Sequence, residues 1–225
     1  MNTLNYLKSA IRQFEYYKML GEKAMEQLED QGLFWQVNEE SNNIATIVKH
    51  LHGNMLSRWT NFLTEDGEKP WRNRDGEFES DTTSREAVMK NWNEGWTCLF
   101  DALNSITDDD LSRIIYIRND GHTVLEAINR QLAHYPYHIG QIIYIAKLLK
   151  NDVWKSLSIP RNKSAQYNSE KFSVQKDIRH FTDDLMKKEK TCQCRFILCH
   201  FSPACRRSSS LSGKRSPDQN LHRLQ

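Results

Sequence analysis

No stretch of the 225-residue chain strings together the eighteen or so apolar residues that a membrane-spanning helix needs. No transmembrane helix is expected, and no membrane partner. The opening residues, MNTLNYLKSAIRQFEYY, also lack the short apolar block of a secretory signal. Cysteine is nearly missing from the first 172 residues, where Cys98 stands alone. That argues against a disulfide scaffold and makes a reducing cytoplasm the expected setting. The glycine patterns of a phosphate-binding loop, a dinucleotide fold and a serine-hydrolase elbow are absent too. Any chemistry must rest on other residues.

A bias of charge is lacking only on average. Residues 1–172 carry 20 basic and 24 acidic side chains, a net −4, whereas residues 173–225 carry 11 and 5, a net +6. All six tryptophans lie in the first part and four of the five cysteines in the second. Two compositions are joined. The first is long enough for one domain with a real core, and its acidic balance gives no electrostatic reason to expect nucleic acid. Within 173–190, Ile178, Phe181 and Leu185 suggest one short helix. From 191 to 225 the basic, Ser- and Arg-rich sequence reads as a disordered tail, appended or translated out of frame. Cys192 and Cys194, with Cys199 and His200, match no common zinc spacing.

Four segments of the first part repeat apolar residues every three or four positions. The first runs from Leu4 through Phe14 to Leu28 and stops at Asp30-Gln31-Gly32. The second runs from about Asn43 to Leu63, with its N-cap among Ser41, Asn42 and Asn43. The third starts at Thr83 or Ser84 and carries Trp92, Trp96 and Leu103. The fourth runs from Val124 to about Leu149, opened by a capping box of Thr123 and Glu126. Between them, Glu65–Asp81 is long and charged. Ile114–Ile117 followed by Asn119-Asp120-Gly121 reads as a small hairpin turning at Asp-Gly, or as an extended crossover. The predicted fold is all-α, a four-helix bundle over 1–172 with long crossover loops.

Histidine carries the chemical signal. His134 and His138 are four apart on the fourth helix, so their rings share one face. Such a pair reads either as two ligands of one metal or as two ordinary polar-face histidines. Pro136 between them removes a helical hydrogen bond to Leu132 and should bend the helix. The second helix offers His50 and His52 on different faces, and periodicity alone favours His52. It falls about 70° from the centre of the apolar stripe, against about 130° for His50. His50 instead shares a flank with Asn54 and Ser57. Cys98, Trp92 and Trp96 read as core, and Asp108–Asp110 as a solvated or helix-starting run.

Ile44, Ile47-Val48-Lys49-His50-Leu51 and the later His134-x-x-x-His138-x-Gly140-Gln141 together resemble the DinB/YfiT-like superfamily of bacterial four-helix metalloproteins. Ser57–Phe78 resembles a branch known only as a domain of unknown function. The resemblance spans about residues 1–170. It implies a divalent metal held by His50, His134 and His138, most often nickel or zinc, with iron or manganese as alternatives. It thereby moves His52 to a structural or supporting role. It also implies a homodimer. Some characterised relatives are thiol S-transferases, which join a low-molecular-weight thiol such as bacillithiol or mycothiol to an electrophile. Three imidazoles leave an open metal position, which suits binding of a thiol as thiolate. Arg58, Arg72 and Arg74 are then candidates for holding a carboxylate of the thiol, guanidinium matching carboxylate geometry; read without the resemblance they are solvated loop charges. The alternatives are metal-dependent hydrolysis by bound hydroxide and a non-catalytic metal-binding stress protein.

Overall fold

Helices begin where the sequence offers a cap. In the structure, a computed structural model that describes residues 6–79 and 81–183, α1 spans Tyr6–Met25. Helix α2 (Ile44–Trp59) starts at Asn43, whose side-chain oxygen accepts from the Thr46 backbone N–H at 2.8 Å. Ser84 caps α3 (Arg85–Asn104) in the same way. Thr123 and Glu126 form the expected capping box of α4 (Val124–Lys150), which continues through Pro136. Each such cap contributes about 1 kcal/mol.

Helix α1 packs chiefly on α4 and α2 on α3, with further contacts of α2 to α4 and of α1 to α3. Phe14, Trp92, Trp96 and Tyr135 are at most 2% exposed and meet at tilted or edge-on angles, with ring centroids 5.5–6.5 Å apart. Full burial of one large apolar side chain contributes roughly 1.5–3 kcal/mol, so this cluster is a substantial share of the core. Gly21 makes room for it, because a Cβ there would lie 2.9 Å from Trp92 Cζ2.

The small hairpin is present. Strands β1 (Ile114–Ile117) and β2 (Asp120–Thr123) pair antiparallel, Ile117 opposite Asp120. The turn is not at Asp-Gly as expected but at Arg118-Asn119, both with positive φ (57° and 64°). Asp66 explains the shift: its two carboxylate oxygens accept from the Arg118 and Asn119 backbone N–H groups at 2.8 and 2.9 Å. A distant carboxylate thus stabilises backbone that non-glycine residues rarely adopt. Gly67 adds a backbone bond to Tyr116, tying the long loop to the hairpin.

A fifth helix, α5, covers Ser164–Phe172. It buries no residue and has no apolar stripe to announce it. Residues 175–180 are non-helical, yet His180 and Thr182 are buried, and His180 contacts Ser9 on α1 at 3.3 Å. The chain divides into two units, 1–182 and 183–225. Of the second only Asp183 is described. The remainder of the expected short helix (184–190) and the expected tail (191–225) lie outside the described residues. No described helix is long and apolar enough to cross a membrane.

Candidate metal centre

His50 on α2 and the pair His134 and His138 on α4 come together at one point. Their ligand nitrogens all lie within 4.8 Å of one another. His134 Nε2 stands 3.4 Å from His50 Nε2 and 3.1 Å from His138 Nε2. Nitrogens bound to one ion at about 2.0–2.1 Å are separated by about 2.9 Å at right angles and about 3.4 Å in a tetrahedron. Both spacings fit a shared ion.

The other ring nitrogens decide where the lone pairs point. His50 Nδ1 donates to Glu77 Oε2 at 2.8 Å, His134 Nδ1 to Gln131 Oε1 at 3.1 Å, and His138 Nδ1 to Gln141 Oε1 at 2.9 Å. In a neutral ring, a proton held on Nδ1 leaves the Nε2 lone pair facing the same small space. Three lone pairs so close repel unless a cation lies between them, and supporting acceptors of this kind orient ligand histidines. Burial, the His138 and His50 rings and the charges of Arg130 and Arg58 press the pKa of His134 down to about 3. Burial lowers that of His138 as well, against the Gln141 hydrogen bond. These two rings are neutral at pH 7, the form that binds metal.

Glu77 is the residue that sequence reasoning missed. It sits on a short 3-10 turn (Asp75–Phe78) in the long loop and is 5% exposed. Arg72 grips it twice, Nε to Oε1 at 2.7 Å and Nη2 to Oε2 at 3.0 Å. Burial pushes the Glu77 carboxyl up, but the hydrogen bonds from His50 and Arg72 outweigh it and hold the group below the usual range. Gly53 lies one turn beyond His50 on α2. A Cβ there would overlap the carboxylate, standing 2.7 Å from Glu77 Cδ. That glycine was the available signal for a close approach.

Above the triad lies a cavity of about 490 Å³, lined by five arginines and no acidic residue. Arg58, Arg72 and Arg74 all line it, but they are not equally free. Arg58 bonds the Gly67 carbonyl and Glu68, and Arg72 holds Glu77 and approaches Glu68 at 3.5 Å. Arg118 from the hairpin turn reaches the same Glu68 oxygen at 3.1 Å. Arg74 lies over the Phe78 ring, itself stacked on His50. Arg130, four residues before His134 on α4, was also missed, although the spacing that paired the histidines reaches it one turn earlier. His52 is elsewhere, 3.2 Å from Glu94 on α3 and off line for a hydrogen bond.

No curated protein and no solved structure matches the chain. A family model does match, over residues 2–163, which include all three histidines, Glu77 and the arginines of the cavity. The chain accordingly belongs to the family described as protein of unknown function (DUF1572).

Proposed function

We propose that the protein is a divalent-metal-dependent thiol S-transferase of the DinB/YfiT-like type, its four long helices forming the bundle that carries the metal. The observation that carries the metal site is the convergence of three Nε2 lone pairs, each fixed by a proton acceptor on its Nδ1. Neutral imidazoles suit zinc and nickel among the available divalent ions. When bound, such an ion would act as a Lewis acid beside the cavity and would lower the pKa of a thiol placed there.

The rest is done by the chain. The arginine lining favours an anionic thiol and its thiolate over the neutral form. The thiolate sulfur bonds the electrophilic carbon as the leaving group departs with the bonding electrons; the thiol proton goes to solvent. Hydrolysis is the weaker reading, because it wants a general base and the cavity lining has no carboxylate. Glu77 is committed to His50 and Arg72.

The test is metal analysis of the full chain purified without an affinity tag. About one divalent ion per chain is expected, lost in the His50→Ala and His134→Ala proteins. Full occupancy in either variant sinks the triad. A cobalt-loaded protein titrated with cellular thiols then reads the chemistry. A changed visible band supports thiol binding, and an unchanged spectrum assigns the site to hydrolysis or to structural holding of the ion.

A further inference from the structure

A second cavity of about 460 Å³ lies beside the first, between the 35–42 segment and the outer face of α4. Its lining is largely apolar, with Trp35, Val37, Ile47, Tyr144, Ile145 and Leu148. Asn42, Tyr137 and Gln141 border both cavities. The two adjoin at these three residues as a trough that is cationic at the histidines and largely apolar beyond Gln141, with Glu40 and Ser41 at its edge. Each half is within the size range of small-molecule sites, about 300–1,000 Å³.

We infer that this trough binds an amphipathic anion, with a carboxylate or phosphate monoester head at Arg74 and Arg130 and an aliphatic or aromatic body in the apolar half. The inference rests on the proposed metal centre only for the place of the reacting atom. The head is assigned by availability. Arg58, Arg72 and Arg118 already hold Glu68 or Glu77, whereas Arg74 and Arg130 have no carboxylate partner among the described residues. The body is assigned by exposure. Tyr137, Tyr144 and Leu148 are 61%, 64% and 48% exposed on one helix and all border the apolar cavity, so large apolar groups face solvent where a ligand body would cover them. Gln141 joins the halves, its amide oxygen fixing His138 while its side chain borders the apolar wall. A ligand lying along the trough thus passes over the metal position.

Calorimetric titration of the zinc-loaded full chain with octanoate, octyl phosphate, 1-octanol and acetate tests the assignment. Octanoate or octyl phosphate, whichever head fits, should bind at least about tenfold more tightly than octanol and acetate. The pair R74Q/R130Q should lose that advantage while octanol binding is unchanged, and Leu148→Gln should reduce octanoate to the level of acetate. Octanol binding as tightly as octanoate, or indifference to these exposed substitutions, overturns the inference. So does a dimer that dissociates in Leu148→Gln, which would give the apolar half to a second copy of the chain. Zinc content, measured on the same samples, separates the two readings. Protein that holds zinc but neither octanoate nor octyl phosphate refutes the trough alone, and protein that binds either one yet retains no zinc after incubation with the ion refutes the metal centre alone.

Discussion

His50 and the pair on α4 reach the same point with different kinds of support. His134 and His138 are steadied by neutral amides three residues away on their own helix, Gln131 and Gln141. His50 is steadied by an ionised carboxylate 27 residues away, in a loop. The α4 half forms whenever the helix forms. The α2 half is complete only after the loop has folded back and Arg72 has locked Glu77. One side offers orientation, while the other adds a negative charge that makes its imidazole a stronger ligand.

The largest expected effect breaks the shared part. His134→Ala should abolish metal binding, because its Nε2 lies within 3.4 Å of both partners, while His52→Ala leaves the metal content unchanged. Equal loss from both would place the centre elsewhere. Glu77→Gln should come next, with metal affinity about 10–100-fold weaker. It should also lower the melting temperature, since loss of one partner from a buried ion pair costs about 3–5 kcal/mol. Gln141→Leu should cost less on both counts. If competition with a chelator shows equal affinities for the two variants, the distinction between charged and neutral support fails.

Gly53→Ala sharpens the comparison without touching a polar group. It should displace Glu77 and reproduce the affinity loss of Glu77→Gln in weaker form. A wild-type chelator profile would show that the loop can shift at no cost.

The smallest effect is one of pH on the metal-free protein. His134 has a pKa near 3 when folded against about 6.5 when free. Between those values the unfolded chain takes up a proton that the folded chain refuses, so stability falls as the pH drops from about 6.5 towards 3. The depressed Glu77 carboxyl joins the loss only below the ordinary carboxylate range, about 4.3. Melting temperature should therefore decline by several degrees between pH 7 and 4.5, and His134→Gln should flatten the decline. An already flat wild-type curve would contradict it.

The same contrast explains what was legible in the sequence. Local rules found the four long helices, the Thr123–Glu126 box and the His134–His138 pair, because helical period and capping act over three or four residues. His50 was found by resemblance. Periodicity favoured His52, since it measures distance from the apolar stripe and the flank holding His50 faces a polar cavity rather than solvent. Glu77 and the clasp of Asp66 on the hairpin turn depend on the path of an aperiodic loop, and no short-range pattern encodes that. Helix α5 escaped for the opposite reason: with no buried face, it leaves no hydrophobic rhythm to read.

Gly53 carries one consequence beyond this single chain. The absence of a side chain there is what lets a carboxylate of glutamate length lie against α2 and reach His50. Positions 53 and 77 are thus sterically coupled. A family member that acquires a side chain at the first should carry a shorter or differently aimed residue at the second, and the two substitutions should appear together in its descendants.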